Sequence, residues 1–311
     1  MKKSIYVLTL IPFLLSCNKE INNPPTEAVD QQIQSVNSMK TGSAALPVLF
    51  GVKFGDGTSV DNGIQVMQKL NAPYIRTSEA LKNYKGGTIH WIEKGYAKGI
   101  KTILNINWET PGSVRKFPRD LVLYETQLRK LLTKYANKIE VAVCENEPTT
   151  DKYWGDESME YYIAELKVFT KVCNEFGVKC ADGAIHVDNI ALVMKGGKGN
   201  KNSPQVKELL DAYRTIPLTY VNLHFKVFNN GYPAGKLKAV ADWTRSYTGH
   251  PVMSNEWHTP SGEPNILNDI INQIKDAQYA YALKWSGGDY DSPLSQGSNL
   301  TSYGIDYRDM K

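Results

Sequence analysis

Lys138-Ile-Glu-Val-Ala-Val-Cys144, an amphipathic stretch over residues 158–176 and Val178-Lys-Cys-Ala-Asp182 read in succession as strand, helix and strand. The same alternation extends in both directions. Upstream lie Leu49-Phe-Gly-Val-Lys-Phe54, a helix near 60–70, Tyr74-Ile-Arg-Thr77, a helix near 88–98, Lys101-Thr-Ile-Leu-Asn-Ile-Asn-Trp108 and a helix over 120–136. Downstream come a helix over 204–213, Tyr220-Val-Asn-Leu-His224, a helix over 234–248, Pro251-Val-Met-Ser-Asn255, a helix over 265–281 and Ala282-Leu-Lys-Trp285. Eight strand–helix units in one domain favour an α/β fold of the (β/α)8 TIM-barrel type over an open doubly wound sheet. No Gly-x-Gly-x-x-Gly follows the first strand, which removes the usual dinucleotide signature. After Trp285 the chain is rich in Gly, Ser and Asp and shows no clear eighth helix, so a loop is expected to close that flank.

The N-terminus reads as an export signal. Lys2 and Lys3 precede a short apolar run that closes on Leu14-Leu15-Ser16-Cys17, too short for a permanent membrane span. Residues 18–45 are rich in Asn, Gln, Ser, Thr and Pro and cannot bury enough surface to offset their ordering entropy. The expected organisation is a signal peptide at 1–16, a modified Cys17 with a flexible tether to 45, and one domain over 46–311.

Composition narrows the partners. With 36 basic against 32 acidic residues, two of the former in the signal, the charge is close to balanced. That argues against nucleic acid as the main partner. Besides Cys17 there are Cys144, Cys173 and Cys180, too sparse for a disulfide framework and without zinc-ligand spacing. No metal or organic cofactor is expected.

In such a barrel the reactive residues end the strands. Strand four ends Cys144-Glu-Asn-Glu-Pro148 and strand seven ends Ser254-Asn-Glu-Trp257, so each presents a Glu at the rim. Two carboxylates, one protonated and one ionised, are what cleavage of a glycosidic bond requires. Asn146-Glu147-Pro148 together with Glu256 resembles the large clan of retaining glycoside hydrolases on (β/α)8 barrels. The resemblance implies Glu147 as general acid/base, Glu256 as nucleophile and Asn146 as a hydrogen-bonding partner of the sugar 2-hydroxyl. It further implies Arg76 after strand two as support for the nucleophile, His224 after strand six in the cleft, and Trp285 after strand eight as the floor beneath the sugar. One position departs: where many relatives carry Tyr two residues after the strand-six His, this chain has Lys226, which would hold a neighbouring carboxyl low if it turned inward. The block Leu-Leu-Ser-Cys likewise resembles the lipobox of bacterial lipoproteins. That implies acylation of Cys17, export, and anchoring to the cell envelope, with the outer membrane expected.

Sugars stack on aromatic rings, so Trp108 and Trp257 are expected to contact substrate, with Trp154 and Tyr232 as further candidates. Trp91 and Trp243 fall inside helices and read as core. Asn107, His186 and His258 are additional polar residues at the rim. The expected activity is hydrolysis of a β-linked oligo- or polysaccharide by double displacement. The alternatives are a surface glycan-binding lipoprotein with a silent barrel, and a barrel enzyme using Glu147 and Glu256 as metal ligands.

Overall fold

Side chains along the strands alternate between two buried faces. In strand four Ile139, Ala142 and Cys144 join the large core beneath the helices, while Val141 and Val143 join a second core with Ile103, Ala181, Met253, Tyr281 and Leu283. A strand buried on both sides reads as a continuous apolar run, as parallel sheets do. The computed structural model describes residues 47–55, 57–110, 114–196, 203–227, 231–259, 263–287 and 292–311. The export signal, Cys17 and the tether lie outside the described residues.

The strands of the main sheet are β1 (Leu49–Phe54), β2 (Tyr74–Ala80), β3 (Lys101–Asn107), β4 (Ile139–Cys144), β5 (Lys179–Ala181), β6 (Ile185–His186), β7 (Val221–Lys226), β8 (Val252–His258) and β9 (Tyr281–Ser286). They form one curled nine-stranded sheet in the order β5-β4-β3-β2-β1-β9-β8-β7-β6, with parallel pairing throughout. The expected fifth strand is divided. β5 pairs with β4 and β6 with β7, and Asp182-Gly183-Ala184 interrupts them. A single parallel bridge, Ala181 to Tyr220, joins the two ends of the sheet. In place of ladder bonds the buried Asp182 carboxylate accepts from the Asn222 N–H at 2.6 Å, the Ala184 N–H at 3.1 Å and the Tyr213 hydroxyl at 3.1 Å. Burial pushes its carboxyl up to about 7 despite these bonds.

The helices are α1 (Val60–Lys69), α2 (His90–Tyr96), α3 (Leu121–Tyr135), α4 (Asp151–Trp154), α5 (Met159–Glu175), α6 (Val187–Met194), α7 (Ser203–Tyr213), α8 (Lys236–Thr248), α9 (Pro264–Asp276) and α10 (Ser302–Met310). Their starts follow capping chemistry. Ser59, Asp120, Ser158 and Thr301 each accept a hydrogen bond from a backbone N–H of the first turn. Among the described residues no helix is long and apolar enough to cross a membrane.

The flank expected to be loop holds α10, and the expectation is corrected here. Its anchors are Tyr303 and Tyr307 rather than the aliphatic stripe of an ordinary amphipathic helix. Tyr307 reaches β1, where its hydroxyl donates to the Gly51 carbonyl at 2.8 Å. Gly51 is itself required, since a Cβ there would lie 2.3 Å from the Tyr74 carbonyl oxygen. Tyr307→Phe should remove one buried hydrogen bond from a carbonyl that also sits in the β1–β9 ladder, and lower unfolding stability by about 0.5–1.5 kcal/mol in urea. An unchanged midpoint would show that α10 does not depend on this bond.

Candidate active site

Glu147 and Glu256 are brought together from strands more than a hundred residues apart. Glu147 follows β4 and Glu256 lies within β8. One carboxylate oxygen of each, with a ring nitrogen of His224, lies within 4.8 Å of the other two. Both carboxylates are nearly enclosed, at 8% and 9% exposed.

The turn that presents Glu147 is strained and firmly held. Glu145 and Glu147 adopt φ of 65° and 48°, left-handed values that cost a non-glycine residue roughly 1–3 kcal/mol. The surroundings enforce it. The Glu145 N–H donates to the Ile106 carbonyl at 3.0 Å, the Glu147 N–H to the Gly183 carbonyl at 2.6 Å, and Trp154 Nε1 to the Asn146 carbonyl at 3.1 Å. Gly183 lets the interrupted fifth strand press against this turn, because a Cβ there would sit 2.6 Å from the Cys144 carbonyl oxygen. Beneath the turn, Glu145 is wholly buried and its carboxyl is pushed up to about 7 by that burial, partly offset by the Trp108 N–H and Arg115.

Glu256 sits among cations. Arg76 Nη1 donates to its Oε2, Lys53 Nζ lies 3.0 Å from the same oxygen, and His258 Nε2 is 2.9 Å from Oε1. Burial works against ionisation, but the charges of Lys53 and Arg76 outweigh it and hold the carboxyl well below the usual range. Arg76 also donates from Nη2 to Asn146 Oδ1 at 2.6 Å, tying the two loops together. A divalent ion on Glu147, His224 and Glu256 would meet the repulsion of two fixed cations already on Glu256, so this trio is poorly suited to hold a metal.

Around Glu147 the partners are imidazoles. His224 Nδ1 lies 2.8 Å and His186 Nε2 3.2 Å from Oε1, and the Thr150 hydroxyl donates to Oε2 at 3.4 Å. Burial pushes this carboxyl up, but the hydrogen bonds and charge that donating histidines supply outweigh it and hold the carboxyl below its ordinary range. Burial is also the largest influence on His186, yet Glu147 raises it above its ordinary value. For His224 burial prevails and holds it below.

Arg76, Asn146, Glu147, His224, Glu256 and Trp285 thus converge on one place, and His186 and His258 join them. Other expectations are corrected. Trp257 is wholly buried, stacked on Phe225 at a ring-centre distance of 6.1 Å, with Lys284 over its ring at 5.5 Å. Trp108 packs edge-on against Tyr124 at 6.0 Å, and Trp154 stacks on Phe117 at 4.0 Å. Tyr232 is buried beside Phe225. Trp154 and Trp257, at 2% and 0% exposed, present no face to a sugar. Asn107 is buried too, 3.5 Å from Arg115. Trp285 remains half-buried, but Lys53 Nζ lies 3.5 Å above its ring and His258 stacks on it at 5.4 Å. Lys226 pairs in register with His258, while Lys53, which the sequence reading passed over, is a cation that reaches Glu256. The alternation of β1 was the available signal for Lys53, since Lys53 and Gly51 share the face opposite Val52.

No protein-family model and no curated protein matches the chain. Solved structures do match in fold. A glucosidase from Croceicoccus marinus aligns with a TM-score of 0.67 at 10% identity, over 85% of this chain and 67% of that one. The GH39 enzyme from Xanthomonas axonopodis pv. citri aligns at 0.57 and 14% identity, over 87% and 67%. An endo-beta-1,3-glucanase from Amycolatopsis mediterranei aligns at 0.55 and 12% identity, over 85% and 100%. At such identities the likeness is one of fold, and the fold resembles that of several glycoside hydrolases.

Proposed function

We propose that this protein is a retaining glycoside hydrolase on a (β/α)8 barrel, in which β5 and β6 are two segments of the fifth strand. One observation carries the reading: carboxylate oxygens of Glu147 and Glu256 lie within 4.8 Å of each other at the carboxyl-terminal side of one sheet. Retaining enzymes place their carboxyls ~5–5.5 Å apart so that one attacks carbon directly, whereas inversion needs ~6.5–9.5 Å to admit a water. Glucosidase and endo-beta-1,3-glucanase activities among the similar structures support the same reading.

In the first step Glu256 forms a bond to the anomeric carbon as the bond to the leaving oxygen breaks, and Glu147 delivers its proton to that oxygen. In the second, Glu147 takes a proton from water, which displaces Glu256 with net retention. Lys53 and Arg76 keep Glu256 ionised for attack, and Arg76, by holding Asn146 Oδ1, leaves the amide nitrogen to meet the sugar 2-hydroxyl. The sugar is β-linked, and its ring lies at the exposed edge of Trp285. Purified protein should be offered β-linked polysaccharides and aryl β-glycosides, with the anomer released followed by proton NMR. The β-anomer should appear first. First release of the α-anomer would end double displacement, and binding of a glycan without cleavage would favour the glycan-binding lipoprotein.

The Leu14-Leu15-Ser16-Cys17 motif supports a protein of the cell envelope, acylated on Cys17 and tethered through residues 18–45. Cys17→Ser should move the protein from the membrane to the soluble fraction and abolish labelling by a radioactive fatty acid. Membrane fractionation that survives the substitution would remove the anchor from this account.

A further inference from the structure

A chain of side-chain amides runs beneath the two carboxylates, and its orientation is fixed from the backbone at two points. Asn105 Nδ2 donates to the Glu145 carbonyl at 2.9 Å. That leaves Asn105 Oδ1 as an acceptor, and Asn255 Nδ2 donates to it at 2.7 Å. Asn255 Oδ1 therefore faces His224 Nε2, 2.6 Å away. The second anchor is Asn222, whose Oδ1 accepts from the Asn255 backbone N–H at 3.1 Å. Its Nδ2 donates to Asn255 Oδ1 at 2.9 Å and to the Asp182 carbonyl at 3.4 Å. Turning any one amide over would set oxygen against carbonyl oxygen or N–H against N–H, in a region with almost no access to water. All four of Asn105, Asn222, His224 and Asn255 are at most 1% exposed.

His224 must accordingly carry its hydrogen on Nε2. At 2.8 Å its Nδ1 and the Glu147 oxygen cannot meet lone pair to lone pair, so one proton lies between them. The geometry points to Asn105 and Asn255 as positioning residues that lock the His224 tautomer and thereby hold Glu147 in its acid form before substrate arrives. This inference rests on the acid role proposed for Glu147. The proton stays on Glu147 because an imidazolium against a carboxylate would enclose two full charges, with Arg76 close by, where the neutral pair takes no charge out of water; the downward pull of His224 on Glu147 acts only through a ring that donates from Nδ1. The charged and titratable groups that face Glu147 are His186 on β6, His224 on β7, Glu256 on β8, Arg76 on β2, and Arg115 and Tyr153 from the flanking loop and helix. His186 donates to the same oxygen, as a protonated carboxyl can still accept. When a glycoside binds, rotation of the carboxyl about its last bond turns the O–H to the leaving oxygen. The O–H bond at Glu147 breaks as the one at the leaving group forms, and His224 keeps its own hydrogen throughout.

The tautomer is measurable without turnover. The chain has five histidines, so 15N-histidine labelling with long-range proton–nitrogen correlation, assigned through His224→Gln, reads each ring directly. In the wild type His224 should be neutral with hydrogen on Nε2 from pH 5 to 8. A cationic ring, or hydrogen on Nδ1, would overturn the inference even if the protein proves to be a glycosidase. Asn255→Leu removes the acceptor, letting the ring donate from Nδ1 to an ionised Glu147. The basic limb of kcat/KM should then move to lower pH. On phenyl β-glycosides the rate should fall ~100-fold, the lower end of what acid catalysis supplies, and 2,4-dinitrophenyl β-glycosides should lose only a few-fold. Equal losses on both would mean plain structural damage and would sink the positioning role. If no glycoside is cleaved at all, the glycosidase reading fails, and the nitrogen spectrum still decides the tautomer.

Discussion

Glu256→Ala should reduce turnover of every glycoside by at least about 10,000-fold, equivalent to ~5.4 kcal/mol of barrier. The carboxylate's hydrogen-bond partners Arg76, Lys53 and His258 are donors, and Glu147 is given over to the leaving oxygen, so neither replaces it. Without a nucleophile no covalent intermediate forms. The same surroundings make the variant informative. Arg76 and Lys53 would line a space that has lost its anion, so azide should enter it and restore cleavage, attacking from the nucleophile's side to give an inverted glycosyl azide. Mass and anomeric configuration of the product are the readout. Azide without effect, in a variant that still folds and binds sugar, would show that Glu256 is not the nucleophile.

Glu147→Ala should divide substrates by leaving group. Acid catalysis contributes ~100- to 10,000-fold when the departing oxygen is basic and little when it is not. Alkyl glycosides should therefore lose the full factor, while 2,4-dinitrophenyl glycosides should still form the intermediate on Glu256 and stall at its hydrolysis. A burst of dinitrophenol, then slow turnover, is the expected trace. Azide should speed the second phase and give a product of retained configuration. A uniform loss without a burst would remove Glu147 from the acid role.

What the sequence disclosed, and what it hid, follows from how each signal is carried. Strand-end chemistry was legible at β4, a short and strongly apolar run that stops before Glu145-Asn146-Glu147; β8 instead runs on through Glu256 to His258, so the strand expected to stop at Asn255 is longer than its apolar start suggested. The aromatic platforms were misread for a reason also in the sequence. Successive strand residues face opposite sides, so Trp257, next after Glu256, belongs to the outer core with Phe225 and Tyr307. Trp108 follows Asn107 in the same way. The break at Asp182 could not be read locally, since it depends on Asn222 and Tyr213 from other elements. The α10 helix escaped notice because two tyrosines and a glycine give a faint apolar periodicity. Lys53 looked like an ordinary charge in a first strand, and only the curvature of the sheet carries it to Glu256. His186 and His258 were noticed but underweighted, because a lone histidine has no partner until the strands are assembled.

The far end of the sheet bears on how the reaction would finish. There Tyr281 packs edge-on against Tyr74 and Tyr220, with ring centres 5.2 and 5.6 Å apart. Glu140 binds Lys101, Lys179 and the Tyr281 hydroxyl at 2.6–2.7 Å, and although burial works against it these bonds hold its carboxyl down at about 2. In the barrel proposed above this cluster would stop the amino-terminal end, and a glycosyl group on Glu256 would sit in a blind-ended vessel. The departing fragment and the incoming water would have to share one doorway, and the second half-reaction could start only when the first product had stepped aside. Any sugar hydroxyl lingering in that doorway would compete with water for the anomeric carbon. Crowded with substrate, such a vessel would build longer chains as well as shorten them.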